Sequence, residues 1–341
     1  MSLPNPSEGE NLRPAHDAGG AANDYGTIAA GAGIIALDGR LVVRITGDDR
    51  VPFMHGMCSN DIKGLASGAV SPALILTEHA HIIADFFIYA AGDALLIEID
   101  RALWPNARAH LEKFLVADDV EIEELEGLGV IDLEGPEAAH AVAAVAGEAA
   151  LSLPLWRHAE SADMRIANLP RFGASAFTMH VDRARAASLI AQMRDRCASA
   201  AIREIGPAAL EIVRVEHGVA RVGTDTTDKT IALEARPDSA ISYSKGCYVG
   251  QETIERATAR GGLKKKLFGL RIEGEPAPAA GSSIVLEGKE VGRLTSVVRS
   301  PRFGLIGLSI LHHSAWNAGT RVTIAGAGGE LSATVSELPF A

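Results

Sequence analysis

Hydrophobic residues in this chain fall into short runs whose spacing switches between strand-like alternation and helical repeats. Two apolar runs from Gly33 to Ile45 flank the turn dipeptide Asp38-Gly39, a pattern that predicts a β-hairpin. Thr46-Gly47-Asp48-Asp49 supplies capping side chains ahead of Arg50-Val51-Pro52-Phe53-Met54, and a helix is expected to begin there. Leu74 to Leu76, Ile82 to Tyr89 and Ala94 to Ile99 read as successive strands, and Leu103 to Leu115 has helical spacing. Gly129 to Leu133, Pro136 to Val145, Met164 to Ala167, Ala176 to Val181 and Ala184 to Cys197 follow as strand, Ala-rich helix, strands and helix. That order fits a small α+β unit with helices over one face of an antiparallel sheet. A helical run from Ala208 to Gly218 leads into a loop-rich stretch. From Leu267 to Phe340 short β-rich runs alternate with glycine-containing turns, the pattern of a small β-barrel or sandwich.

Composition narrows the function classes. The 341 residues are 47% hydrophobic and 22% charged, an ordinary globular balance, and at about 150 residues per domain the length predicts two or three domains. Against 32 Lys+Arg stand 43 Asp+Glu, a net charge of −11, which argues against a nucleic-acid partner because phosphate binding rests on cations. No run approaches about 18 uninterrupted apolar residues, so no membrane span is expected. Residues 1–24 lack an apolar core and carry only Arg13 as a basic residue, and they read as a disordered tail rather than a targeting segment. Cys58, Cys197 and Cys247 are too few and scattered for a disulfide framework and match no zinc spacing. His55, His79, His81 and His217 form no compact ligand pattern either. A cytoplasmic location and no resident metal are expected.

Two charge runs stand out. Between Glu112 and Glu137 ten acids accompany one Lys, read as a strand or edge with a solvated face. Arg256, Arg260, Lys264, Lys265, Lys266 and Arg271 are six cations with no acid among them. They form a solvated face and linker, with Arg260-Gly261-Gly262-Leu263 as the link to the last domain, or hold the carboxylates of an acidic ligand or partner.

The densest candidate chemistry is Lys245-Gly246-Cys247-Tyr248-Val249-Gly250-Gln251-Glu252. Gly246 and Gly250 permit close backbone approach or positive φ at both ends of a short excursion. Lys245 lies two residues before Cys247, and a nearby cation favours the thiolate that makes a cysteine a nucleophile or metal ligand. The alternative is a buried, inert cysteine in a tight turn. Gln251 to Ala259 is expected to form a helix, with Gln251 and Glu252 in its first turn.

That eight-residue segment resembles the signature of the YgfZ family of folate-binding proteins, relatives of the glycine-cleavage T-protein, an aminomethyltransferase. Phe53-Met54-His55-Gly56-Met57-Cys58-Ser59-Asn60-Asp61 resembles the family's early Phe-x-His-Gly and Thr-Asn-Asp segment, with Ser59 in place of Thr. Arg214-Val215-Glu216-His217-Gly218 resembles its Arg-x-Glu-x-Gly, and Glu234-Ala235 its Pro-x-Glu-Ala without the proline. Val291-Gly292-Arg293-Leu294-Thr295-Ser296 and Leu338-Pro339-Phe340 resemble the T-protein barrel. Thr77-Glu78-His79-Ala80-His81-Ile82-Ile83-Ala84-Asp85 resembles the family's Thr-x-x-Gly-x-Ile-x-Asp, with Ala80 for the glycine. It retains one carboxylate, Asp85, where T-protein relatives carry an Asp-Asp pair.

The resemblance implies an α+β, three-domain ring. A discontinuous first domain, 25–125 plus 200–262, would bind folate, a ferredoxin-like α+β domain would occupy 126–199, and a small β-barrel 263–341. The implied ligand is tetrahydrofolate or a one-carbon derivative, with or without a polyglutamyl tail. A carboxylate can pair with the amino-bearing edge of its pterin, apolar walls suit its aromatic ring, and cations suit its tail. Glu234 is the first choice for the pterin carboxylate, or else an N-cap or surface acid. Asp85 is the second, or else caps a turn. Tyr248 is a candidate wall, and Asn60, Gly246, Gly250, Gln251, Glu252 and Arg256 complete the expected binding set. Cys247, with Lys245, is the expected reactive pair and a possible transient iron–sulfur ligand, since stable clusters usually take about four thiolates. The implied function is assembly or repair of iron–sulfur clusters, chiefly of the 4Fe-4S type, with client or carrier proteins as partners. Such a factor need not be an enzyme. A folate-dependent aminomethyltransferase or methyltransferase is the enzymatic alternative, and a folate-sensing interaction module the third.

Overall fold

The computed structural model describes residues 18–341 apart from 162, 173–174, 198–200, 260–261 and 327–328. Residues 1–17 of the expected tail and two residues of the expected linker, Arg260 and Gly261, therefore lie outside the described residues. The chain runs through α1 (Ala18–Ala30), β1 (Ala32–Ala36), β2 (Arg40–Thr46), α2 (Arg50–Met57), β3 (Val70–Leu76), β4 (Ile82–Ala91), β5 (Ala94–Asp100), α3 (Trp104–Phe114) and β6 (Glu121–Glu124). It continues with β7 (Leu128–Glu134), α4 (Ala138–Ala146), β8 (Arg157–Ser161), β9 (Met164–Asn168), β10 (Ala176–Asp182), α5 (Ala186–Arg196), β11 (Ile202–Glu204), α6 (Pro207–His217) and α7 (Gln251–Ala259). The remainder is β12 (Lys265–Glu273), β13 (Ser283–Leu286), β14 (Lys289–Arg293), β15 (Ser296–Ser300), β16 (Gly304–His312), β17 (Arg321–Gly326) and β18 (Gly329–Ser336).

Three sheets organise these elements. The first has the order β3-β4-β5-β2-β6, antiparallel throughout, and α2 and α3 cover one face through Phe53, Met54, Trp104 and Leu111. The second has the order β11-β1-β7-β10-β9-β8, parallel only between β1 and β11, with α4 and α5 packed on it. The third is an antiparallel sheet, β14-β13-β17-β18-β12-β16-β15, over the last 77 residues from Lys265. Along β6 exposed and half-buried positions alternate, which is the solvated edge that the acidic stretch predicts.

The expected hairpin from Gly33 to Ile45 does not form. The Asp38-Gly39 turn is present, with Arg40 N–H donating to the Leu37 carbonyl at 3.0 Å, but β1 and β2 diverge into different sheets. Strand β1 is buried on both faces and pairs with β7 and β11, while β2 pairs with β5 and β6. Each strand thus satisfies both hydrogen-bonding edges elsewhere, and a local turn signal cannot outweigh two complete ladders. The second sheet therefore draws β1 and β11 from outside the expected 126–199 segment. Likewise α1 begins at Ala18, inside the stretch expected to be disordered, because its Ile28 joins Ile35, Ala209 and Val213 in one apolar cluster.

Helix α2 starts where expected, but Asp49 does not cap it with its side chain. Its Oδ2 instead accepts from the Asp119 N–H at 2.9 Å, while Asp119 accepts from the Asp48 N–H at 3.0 Å. Strand β8 carries Arg, His, Glu and Ser among its five residues and gave no strand signal; pairing with β9 makes it one.

Candidate functional site

The loop carrying Cys247 is strapped onto the segment after α2. Ser59 Oγ donates to the Ala240 carbonyl at 2.5 Å and accepts from Leu74 N–H, Ser242 N–H donates to the Ser59 carbonyl, and Val249 N–H to that of Gly56. Lys245 Nζ sits at the centre, donating to the carbonyls of His55, of Cys58 at 2.7 Å and of Asn60 at 2.8 Å. These include carbonyls that the end of α2 leaves without intrahelical partners, so the ammonium acts as a distant cap for the negative pole of that helix. Tyr248 places its ring 4.7 Å from the same ammonium, and burial pushes its phenol up to about 12.

The expected pairing of Lys245 with Cys247 does not take the form of a hydrogen bond. An ammonium has three N–H donors and all three are taken, so Lys245 has none to offer the Cys247 thiol. Burial lowers the pKa of Lys245. The buried alternative for Cys247 is corrected, since its residue is exposed while Lys245 and Tyr248 on either side are each only 8% exposed. Cys58 is the buried thiol, pushed up to about 11 by loss of hydration, which leaves it protonated and unreactive at neutral pH.

Several other expected binding residues are committed internally. Asn60 spends its amide N–H groups on Ser71 Oγ, Pro72 O and Ser239 O at 2.8–2.9 Å. Gly250 adopts φ +92°, and a Cβ there would stand 2.7 Å from the Thr77 carbonyl, so its role is close packing against the β3–β4 turn rather than room for a ligand. Gln251 accepts from the Tyr248 N–H and donates to Glu255, tying the start of α7. Glu252 and Arg256 form an exposed i,i+4 pair with each other, and Gly246 is exposed. Tyr248 is packed among Leu74, Leu76, Ile82 and Leu233 rather than offered as a wall. Glu234 accepts from the Ile231 N–H at 3.1 Å and caps the short turn Ala232–Ala235, and burial raises its pKa.

Asp85 behaves differently. Strand register puts it opposite Leu74, next to Phe87 opposite Pro72 and Tyr89 opposite Val70 on one face of the first sheet, the face turned toward the second sheet. It is half-buried, its side chain makes no hydrogen bond to another described residue, and it caps no turn. Loss of hydration raises its pKa first; the charges of Arg40 and Arg171 lower it, and Asp100 raises it further. A carboxylate in that state is poised to accept hydrogen bonds from a ligand.

Behind it lies a buried polar network that the sequence did not disclose. Glu98, fully buried on β5, accepts from Arg40 Nε at 3.0 Å, Arg171 Nη2 at 2.6 Å, Tyr89 Oη at 2.8 Å and His180 Nε2 at 3.1 Å. Burial would raise its pKa, but Arg171, His180 and Arg40 hold it well below the usual carboxylate range. Arg171 also grips Asp132 and Thr178, so the network bridges the first and second sheets. The one available signal was a lone acid inside the apolar run Ala94 to Ile99; Arg171, in a loop, had none.

Family comparisons agree with this architecture. The GCVT N-terminal domain matches residues 14–245 and the glycine-cleavage T-protein C-terminal barrel domain matches 265–341. The chain is 28% identical to a putative chloroplastic transferase of Arabidopsis thaliana, over 87% of this chain and 68% of that one. It is 27% identical to the tRNA-modifying protein YgfZ of Yersinia pseudotuberculosis, over 78% and 79%. The crystal structure of the glycine-cleavage aminomethyltransferase T of Bartonella henselae superposes with a TM-score of 0.84 at 20% identity, covering 94% of this chain and 89% of that one.

Proposed function

The chain belongs to the glycine-cleavage T-protein family and is YgfZ-like within it, and on that footing we propose that it is a tetrahydrofolate-binding accessory protein for the assembly or repair of iron–sulfur clusters, chiefly 4Fe-4S, in client enzymes. The observation that carries the reading is the presentation of Cys247: an exposed thiol on a loop pinned by the buried Lys245 ammonium and Ser59. A thiol held out on a fixed support suits hand-over to another protein. It does not suit a substrate enclosed for turnover.

The residues present fit a folate. Asp85 supplies a half-buried carboxylate that is not bonded to another described residue, with Phe87 and Pro72 as its apolar neighbours on that face. When bound, tetrahydrofolate supplies one-carbon and reducing chemistry at its N5–N10 edge. Lys264, Lys265 and Lys266 offer cations for a polyglutamyl tail. No helix among the described residues is long and apolar enough to cross a membrane. The YgfZ relatives are named as tRNA-modifying; with a net charge of −11 this chain would act on tRNA only through client enzymes.

The aminomethyltransferase reading remains the enzymatic alternative, favoured by the Bartonella fold match and weakened by Ala84 where a second carboxylate would stand. One series tests both. Wild-type protein should bind tetrahydrofolate in a calorimetric titration, and Asp85→Asn should weaken it about tenfold, one lost charge-assisted hydrogen bond. Cys247→Ser should leave folate binding intact yet reduce the activity of 4Fe-4S enzymes in cells lacking the native gene. Undiminished activity would remove the thiol from the mechanism, and steady production of methylene-tetrahydrofolate from amine donors would establish the transferase instead.

A further inference from the structure

The start of α2 borders a cavity of about 160 Å³ on the far side of the first sheet from Asp85. Its apolar walls are Val51 of α2, Ile62 and Leu65 of the segment that follows, and Leu95 of β5, all part of the core that α2 and α3 build on this sheet. Asp85 and Phe87 belong to the opposite face, so the cavity is separate from the gap between the first and second sheets. At its edge Gly92 turns the chain from β4 into β5 at φ +69°, and a Cβ there would meet no atom within 4 Å.

Two cations and no acid line this cavity, in a chain of net charge −11. Arg50 donates from Nη1 to the Gly47 carbonyl at 2.8 Å, while its Nε is buried without a partner. Lys63 is exposed, and its ammonium is bonded to no other described residue. The acids nearest in sequence are engaged elsewhere or point away: Asp49 accepts from the Asp119 N–H at 2.9 Å, Asp61 from the Gly64 N–H at 3.0 Å, and Asp93 is exposed and does not line the cavity. A guanidinium short of acceptors beside an unpaired ammonium is a ready partner for an anion.

The walls decide what else that anion carries. Inorganic phosphate is polar all round and gains nothing from four aliphatic side chains, whereas a short aliphatic body buries its surface against them. At ~30 Å³ per water, the volume is that of about five waters, which suits a body of about four or five carbons. We propose that this cavity binds a small aliphatic monocarboxylate, with the carboxylate toward Arg50 and Lys63 and the chain against Val51, Ile62, Leu65 and Leu95. The site is independent of the folate reading, and the failure of either leaves the other standing.

The test titrates the full chain with isovalerate, with its neutral counterpart isovaleramide and with inorganic phosphate, following backbone amide resonances. Isovalerate should move the amides of Lys63, Ser67, Gly92 and Ala94, with half-saturation at about millimolar concentration. Isovaleramide, which keeps the shape and lacks the charge, should bind about tenfold more weakly. Arg50→Gln and Lys63→Gln should each weaken isovalerate by about three- to tenfold, and Lys63→Gln, at an exposed position, serves should the Arg50 variant not fold. Unmoved amides at about 50 mM isovalerate, or an amide ligand that binds within about twofold of the acid, overturn the proposal. So does phosphate that moves the same four amides as strongly as isovalerate, which would leave a bare charge pair and no role for the walls.

Discussion

His158 joins two sheets by a bond that depends on its being neutral. Arg165 can only donate, so His158 Nδ1 accepts from it at 2.7 Å, and Nε2 must then carry the proton that it gives to the Ala90 carbonyl at 3.0 Å. Burial, then the charge of Arg165, lowers its pKa from 6.5 to about 4. Because the unfolded histidine takes a proton first, the stability it contributes is complete above about 6.5 and is lost as pH falls toward about 4, a change of ~3 kcal/mol. His158→Gln can donate and accept without titrating, so its denaturation midpoint should vary less over this window than that of wild type. Equal slopes would show that His158 is not the group responsible. At this same scale the three cysteines were visible in the sequence but not their fates. Burial makes Cys58 inert and exposure leaves Cys247 available, and neither follows from the residues beside them.

The elements around α2 show how a sequence motif is divided between architecture and chemistry. Lys245, Asn60, Ser59 and Gly250 all belong to segments that resemble a family signature, and all are spent on holding the 239–250 loop against α2 and β3. Replacing Lys245 by Met should leave three carbonyls short of a donor and cost about 1–3 kcal/mol locally. Amide exchange in segments 55–62 and 239–249 should accelerate while that of β16 does not change. Exchange confined to Gly246 and Cys247 would contradict the capping role. Helix and strand positions were legible because their apolar periodicity is local: α2, α3, α5, α6 and β3 to β5 all fall within a few residues of expectation. The hairpin was not, because which ladder β1 completes depends on β7, nearly a hundred residues away.

Across the whole molecule, buried polar ties link the sheets. Arg214 on α6, 1% exposed, donates to Glu211, to Asp225 at 2.7 Å, to Ser296 at 2.7 Å on the third sheet and to the Val219 carbonyl. Two residues on, Glu216 accepts from Ser300 Oγ and from Tyr25 on α1 at 3.0 Å, and its carbonyl accepts from the Phe340 N–H. The Arg-Val-Glu-His-Gly segment is therefore a joint between the third sheet and the rest, closed by Gly218 in the left-handed region at the end of α6. Arg214→Leu leaves the buried Asp225 without its cationic partner and should cost about 3–5 kcal/mol, with the third sheet unfolding in a separate, earlier thermal transition. Arg214→Leu with Asp225→Leu should recover part of that loss, and a single unshifted transition would rule the joint out. By itself the sequence determined most elements, the α+β character, the family and the one thiol in a suggestive setting, because periodicity and short motifs act over neighbouring residues. Only the tertiary structure decided that the Lys245 ammonium is bonded at a helix end, that Glu234 caps a short turn, and that Asp85 lies on the sheet face turned toward the second sheet. A carboxylate or ammonium takes its role from whatever charge, carbonyl or solvent folding brings within hydrogen-bond reach, and those partners lie tens to hundreds of residues apart in the chain.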